Sequence, residues 1–341
     1  MSEILATVGE FGLIDRIHSL LREEGIQLPE VALGIGDDAA CLTPRPGYEL
    51  LVTCDAIVEG RHYLPETISP RDLGRRAMTL NISDIGAMGG MPRFALVSLG
   101  LKGETPVHDV EDMYRGFMDE LNPLDAAVVG GNLTKSGDRA FIDITLIGEV
   151  EPVTRVCRSG ARPGDAILVT GYPGQSAAGL EILLKGKCPG IPMEHPVVRA
   201  YLRPFHRARE GRAIAKTGYV TAMIDTSDGF PGDLGHICRS SCVGAELWEA
   251  KFPLGGELQR AALELKRDSL DLFLGESDDY ELIITCSQDR VNLIKKVLAS
   301  LGPLPVSEVG KITQNEGEMV LIRKNESRDK LTPMGWDHFR E

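Results

Sequence analysis

The sequence predicts a two-domain α/β protein built of α+β layers. At 341 residues the chain exceeds what one hydrophobic core ordinarily organises, so two domains are expected. Strand-like apolar stretches alternate with amphipathic helices along it. A Glu151-Pro152 break precedes the turn-rich segment Arg158-Ser159-Gly160-Ala161-Arg162-Pro163-Gly164-Asp165. That break divides the chain into an expected N-terminal domain, residues 1–151, and a C-terminal α/β domain, residues 152–341.

The elements follow from periodicity. Between Phe11 and Glu24, Leu13, Ile14, Ile17, Leu20 and Leu21 form one helical stripe. Glu49 to Asp55 reads as a strand with Leu51, Thr53 and Asp55 on one face and Leu50, Val52 and Cys54 on the other. Ser69-Pro70-Arg71-Asp72 is a helix start, with a Ser cap, Pro at the first helical position and an acid in the first turn. The helix it opens carries Ala77, Leu80, Asp84 and Met88 at helical spacing. Strands are expected over Phe94 to Leu101, Ala126 to Val129 and Phe141 to Val150, with a helix from Val110 to Leu121 between the first two. In the second half, strands are expected at Ala166 to Thr170, Val220 to Ile224 and Leu282 to Cys286, and a helix from Asp289 to Leu301. The Gly171 to Gly179 loop feeds a helix N-terminus. It can cradle an anion or simply pack a tight turn, and it lacks the Lys and spacing of a P-loop.

Composition narrows the function. Charged residues make up 26% and hydrophobic ones 43%, as in ordinary globular proteins. A net charge of −13 argues against a nucleic-acid or anionic-membrane surface. It leaves phosphate ligands open, because metal ions on carboxylates reverse the local sign. Seven scattered cysteines without a C-x-x-C pair suggest neither a disulfide framework nor a zinc site, which fits a reducing cytoplasm. No secretory leader and no run of membrane-spanning length are read from the sequence.

The acids carry the chemistry. Gly34-Ile35-Gly36-Asp37-Asp38-Ala39-Ala40 sets two adjacent carboxylates among small residues; alone, such a motif is more often a solvated turn. Asp55 at the end of its strand, Asp84 among Gly86, Ala87, Gly89 and Gly90, and the pair Asp225 and Asp228 in Asp225-Thr226-Ser227-Asp228-Gly229 make it one of several. Asp233 lies on the next helix turn. Asp84, placed on an apolar stripe, would cost several kcal/mol if buried without a partner, so it calls for a cation or hydrogen-bond donors; a solvated helix end is the plainer alternative. Acids of this number point to a polynuclear Mg²⁺ centre holding a polyphosphate.

Taken together, several motifs resemble a known pattern. Gly34 to Ala40, Thr53-Cys54-Asp55 with His62, Asn81-Ile82-Ser83-Asp84-Ile85-Gly86-Ala87-Met88-Gly89, Gly130-Gly131-Asn132 and Arg158 to Ala161 occur in order. So do Gly174 to Leu180, Asp225 to Gly229, Asp279-Tyr280-Glu281-Leu282 and the tail Trp336-Asp337-His338-Phe339. The chain thereby resembles the thiamine-monophosphate kinase family of the aminoimidazole-ribonucleotide-synthetase-like superfamily, from Gly9 to Phe339.

The resemblance implies a two-domain fold with N-terminal domains pairing in a homodimer, and Mg²⁺-dependent transfer of the ATP γ-phosphoryl group to thiamine monophosphate. It places metal ligands at Asp38, Thr53, Cys54, Asp55, Asp84, Asn132, Asp225 and Asp228, with backbone or hydroxyl oxygen serving at Thr53 and Cys54. Asp55, Asp84 and Asp228 would be the catalytic acids. ATP contacts fall on Gly131, Asn132, Arg158 and Ser227, and substrate contacts on His62, Asp278 and Trp336. The acceptor phosphate is already largely ionised at neutral pH, so no general base is needed; the difficulty is bringing two polyanions together. Two departures stand out. Asn132 replaces the family's usual Asp, and Glu276-Ser277-Asp278-Asp279-Tyr280-Glu281 replaces Gly-Gly-Glu-Asp-Tyr-Glu. They leave two alternatives: an ATP-using relative with another substrate, or a catalytically silent nucleotide-binding module.

Overall fold

The computed structural model describes residues 3–186, 194–332 and 335. They fall into two compact units: Met1–Ile85 with Gly90–Pro152, and Gly86–Gly89 with Val153–Glu341.

The first unit opens with α1 (Leu5–Glu24), kinked at Gly9, whose left-handed φ of 72° lets the chain turn before the stripe of Leu13, Ile17, Leu20 and Leu21 is buried. Short strands β1 (Val31–Leu33) and β2 (Cys41–Leu42) pair and frame the acidic glycine loop. The remaining elements are β3 (Glu49–Val58), α2 (Pro70–Ala87), β4 (Met91–Leu101), α3 (Val107–Leu121), β5 (Ala127–Lys135) and β6 (Phe141–Val150). Strands β3, β6, β4 and β5 form a sheet in that order, antiparallel except for the parallel β4–β5 pair. The start of α2 uses Ser69 as expected: its hydroxyl accepts the Asp72 N–H at 3.1 Å and donates to the Asp72 carboxylate at 2.7 Å.

Helices α2 and α3 meet where glycine permits. A Cβ on Gly74 would sit 2.1 Å from the Met113 carbonyl oxygen, and one on Gly116 2.1 Å from that of Arg71. Strand β3 alternates as its pattern requires, Leu51 and Ile57 being buried. On its other face Leu50 and Val52 are 47% and 65% exposed, so this sheet is covered on one side only.

The second unit contains β7 (Ala166–Thr170), α4 (Gln175–Leu184), α5 (Pro196–Leu202), α6 (Ala208–Ala215), β8 (Val220–Asp225), α7 (Phe230–Ser241) and β9 (Gly244–Trp248). There follow α8 (Gly256–Leu265), α9 (Ser269–Leu274), β10 (Leu282–Cys286), α10 (Val291–Ala299), β11 (Val306–Thr313), β12 (Met319–Ile322) and β13 (Arg328–Lys330). Its seven-stranded sheet runs β13-β12-β9-β11-β7-β10-β8, parallel only between β12 and β9. Both faces are covered. Ile167, Val169, Ile224 and Ile283 pack against Phe230, Leu234 and Phe273, while Leu168, Met223, Leu282 and Ile284 pack with Ile214, Ile294 and Leu298. Such two-sided burial explains why β7 and β10 are mostly apolar without alternation, every residue of each being buried. Gly86 belongs to this unit, and a Cβ there would come within 2.5 Å of the Ala208 Cα.

Candidate active site

In the first unit Thr53 ties Asp84 of α2 to the strand that carries Asp55. The Thr53 hydroxyl, on the covered face of β3, donates to Asp84 Oδ2 at 2.5 Å. Asp55 lies two residues further along the same face, and both it and Asp84 are half-buried. The setting of Asp84 differs from the apolar stripe expected. Along α2 the residues Arg76 to Thr79, Asn81 to Ser83 and Ile85 are buried, whereas Leu80 and Asp84 are its half-exposed edge, and Met88, expected on the same stripe, follows the helix end. Asp84 therefore faces an accessible margin and has a hydroxyl donor, which removes the penalty of an isolated buried charge.

Cys54 points the other way. Its thiol donates to Asp143 Oδ1 at 3.2 Å on the uncovered face, so only its backbone oxygen could serve beside Asp55. Strand register sets Asp55 level with Ile144, Val97 and Gly131, and Ala56 level with Asp143, Ser98 and Asn132. Asn132 is exposed and lies in the row of Ala56 and Asp143, so alternation puts its side chain on the uncovered face with Cys54 and not on the face of Asp55; Gly131 precedes it in the Asp55 row. No side chain fits at Gly131, where a Cβ would sit 1.9 Å from the Val97 carbonyl oxygen. Asp38 is exposed in the β1–β2 loop, its N–H donating to Asp37 Oδ1 at 2.8 Å. His62 folds back so that Nδ1 accepts the Val58 N–H at 3.0 Å.

The second unit holds its acids in a tighter net. Asp225 ends β8 and is buried, Ser227 is exposed, and Asp228 is half-buried. Below them Asp233, in the first turns of α7, accepts the N–H groups of Ser227 and Asp228 at 3.1 and 3.2 Å. Burial, and then the charges of Asp225 and Asp228, push the Asp233 carboxyl up to about 8. Arg158 is exposed, and its carbonyl oxygen accepts from the Ser241 hydroxyl at 3.4 Å.

The glycine loop before α4 resolves toward the packing alternative. Asp279, buried, accepts the N–H of Gly174 at 2.6 Å and of Ser176 at 2.8 Å, so the donors that would cradle an anion are already taken by a carboxylate of the chain itself. The Ser176 hydroxyl donates to Asp278. Glu281 accepts from the Thr170 hydroxyl at 2.5 Å and from Arg207 Nε at 2.8 Å. The segment 278–281 is thereby bound into the sheet, its Tyr280 held at a φ of 54°. Trp336 lies outside the described residues.

Asp143, Asp233 and the capping role of Asp279 were not assigned from the sequence. Asp233 had a local signal, an acid four residues beyond Gly229 at a helix start. Asp279 had none, since its partners lie more than 100 residues earlier.

The donor set suits a hard divalent cation. Among the described residues no three His, Cys, Asp or Glu side chains already converge into a metal cage. Mg²⁺ needs no such cage: it usually takes one or two carboxylates and completes its octahedron with water and substrate phosphates.

The two units correspond to two recognised domains. Residues 36–150 match the AIR synthase related protein N-terminal domain, and residues 162–323 match its C-terminal domain. The fold and the paired acids therefore define a member of the AIR-synthase-related class. Within it, the chain is 34% identical over 329 residues to the thiamine-monophosphate kinase of Bacillus subtilis (strain 168), covering 96% of this chain and 99% of that protein. It is 35% identical over 335 residues to that of Aquifex aeolicus (strain VF5), covering 98% and 99%. Among solved structures it matches AaThiL complexed with AMPPCP and TMP at a TM-score of 0.76 and 34% identity, over 99% of this chain and 100% of that one. The thiamine-monophosphate kinase from Stenotrophomonas maltophilia K279a matches at a TM-score of 0.79 and 30% identity, over 93% and 97%. The chain belongs to the thiamine-monophosphate kinase family.

Proposed function

We propose that the protein transfers the γ-phosphoryl group of ATP to the phosphate of thiamine monophosphate, giving thiamine diphosphate and ADP. The observation that carries this reading is family membership over nearly the whole length, together with the likeness to AaThiL holding AMPPCP and TMP. The acids described above supply what the reaction needs. An ionised phosphate attacks without a general base, and the chain's task is to neutralise and align two polyanions. Asp38, Thr53, Asp55 and Asp84 would hold Mg²⁺ from the first unit, joined by the Cys54 carbonyl and the Asn132 amide oxygen; Asp225 and Asp228 would do so from the second. When bound, the ions supply electrostatic stabilisation of the transferring group. Gly131, Asn132, Arg158 and Ser227 are the proposed ATP contacts, and His62, Asp278 and Trp336 the proposed substrate contacts.

Homodimerisation through the first unit is part of the reading. Leu50 and Val52 form an apolar strip on an otherwise uncovered sheet face, a surface better buried than wet. A cytoplasmic setting fits the free cysteines, and among the described residues no helix is long and apolar enough to cross a membrane.

The test is incubation with ATP, Mg²⁺ and thiamine monophosphate, followed by chromatography of the products. Thiamine diphosphate and ADP in equal amounts are expected. Binding of Mg-ATP without product would overturn the substrate assignment and direct attention to the altered Asp278 segment.

A further inference from the structure

The turn Asp225-Thr226-Ser227-Asp228-Gly229 is fastened from two sides. On one side Thr226 exchanges backbone hydrogen bonds with the 280–281 segment: its N–H reaches the Glu281 carbonyl oxygen at 2.7 Å, and its own carbonyl oxygen accepts the Tyr280 N–H at 2.8 Å. The Thr226 hydroxyl adds a third bond, accepting the Glu281 N–H at 3.0 Å. On the other side the Ser227 and Asp228 amides both donate to one oxygen, Asp233 Oδ2. Asp233 is 1% exposed, so it is screened from solvent. Gly229 closes the turn with a φ of 116° and no room for a side chain, its Cβ position lying 2.4 Å from the Gly275 carbonyl oxygen.

A buried acid beneath a turn that already bears two acids is electrostatically unfavourable. Stability alone would favour a neutral residue there. What the carboxylate provides is one acceptor that gathers two consecutive amides, and gathering them fixes the direction in which the Asp228 side chain leaves the backbone. Resting on the proposed Mg²⁺ reading, we propose that Asp233 is a positioning residue: it holds the 225–229 turn in the shape that presents Asp225 and Asp228 to a divalent cation, without itself being a ligand.

The experiment uses the full chain and titrates Mg²⁺ by calorimetry in the presence of a non-hydrolysable ATP analogue. The variants are Asp233→Ala, Asp233→Asn and, as a control for the metal reading, Asp228→Asn. Melting in EDTA and the KM values for ATP and thiamine monophosphate are recorded alongside. Removing the acceptor in Asp233→Ala is expected to raise the Mg²⁺ concentration for half-saturation at least about tenfold, within the range set by losing two net hydrogen bonds. The KM for ATP should rise with it, while that for thiamine monophosphate stays within about twofold. Asp233→Asn keeps an oxygen acceptor without the charge and is expected to restore Mg²⁺ affinity to within about threefold of the parent. Should Asp233→Ala not fold, Asp233→Glu takes its place; it keeps the charge but displaces the acceptor, and the same tenfold loss is expected. The proposal is overturned if the acceptor-removing variant binds Mg²⁺ like the parent while Asp228→Asn does not. It is also overturned if a folded Asp233→Asn is as impaired as Asp233→Ala, because charge and not shape would then be the contribution. If Asp228→Asn itself binds Mg²⁺ normally, the metal reading fails and this proposal falls with it.

Discussion

The two units handle their acids in opposite ways. In the first, Asp55 and Asp84 stand at a half-exposed margin, the Thr53 hydroxyl donating to Asp84, beside a sheet whose other face shows Leu50 and Val52 to solvent. In the second, Asp233 and Asp279 are buried beneath backbone amides that they hold in place, and the sheet is covered on both sides. Identical side chains thus do different work. An accessible carboxylate is available to a ligand, whereas a buried one that accepts two N–H groups is part of the scaffold. Reading an acid as functional therefore requires knowing what its oxygens already hold.

If that contrast is right, removing charge from the first unit should cost activity and not stability. Asp84→Asn is expected to lower kcat on the order of 10³-fold, the several kcal/mol that a metal-anchoring contact supplies. Its melting temperature should stay within a few degrees of the parent. Steady-state rates and calorimetric melting check both halves, and near-normal turnover would return Asp84 to a solvated helix end.

The reverse is expected of the buried Asp279. Asp279→Ala leaves the Gly174 and Ser176 amides without their acceptor and should destabilise by roughly 2–5 kcal/mol in urea melts. Burial raises the Asp279 carboxyl from its ordinary value to about 6. The folded state therefore favours the protonated form. Its contribution is full below the unfolded value near 4 and is lost as pH rises through about 6. The parent's advantage over Asp279→Ala is accordingly expected to be larger at pH 4 than at pH 7, by up to about 3 kcal/mol. A constant difference across that window would mean the carboxyl is ionised in the folded state throughout.

Two smaller effects belong to the uncovered sheet. Val52→Asp places a charge in the apolar strip and is expected to shift a dimer toward monomer in sedimentation experiments, by an amount set by the area it spoils. Parent-like sedimentation would move the interface elsewhere. Asn132→Asp adds a negative oxygen on the sheet face that carries Cys54 and Asp143, opposite that of Asp55, and so tests whether this position serves the metal at all. It is expected to lower the Mg²⁺ concentration for half-maximal rate by roughly threefold, without altering substrate choice. Activity in Asn132→Asp but not in the parent would instead favour the silent-module alternative.

What the sequence determined by itself is local. Strands β6, β7 and β10 were legible to the residue, because alternation or a mostly apolar run is written into consecutive side chains. The Ser69 start of α2 and the distinct faces of Thr53 and Cys54 were legible for the same reason. The candidate acids were found as residue types in order along the chain. Other features were decided only by tertiary structure. β3 runs on to Val58 and β5 to Lys135, because β6 and β4 offer them partners that no local pattern announces. The short strands β1, β2, β9, β12 and β13 likewise exist through pairing and not through propensity. Helix α2 is buried on several sides, which turned an apparent apolar stripe into the accessible edge where Asp84 sits. Asp279 caps a loop more than 100 residues before it, and Asp233 shapes a turn that its own helix follows. A sequence records which groups can accept a hydrogen bond. Only the fold brings a particular donor within 3 Å of them, and that decides whether an acid is scaffold or site.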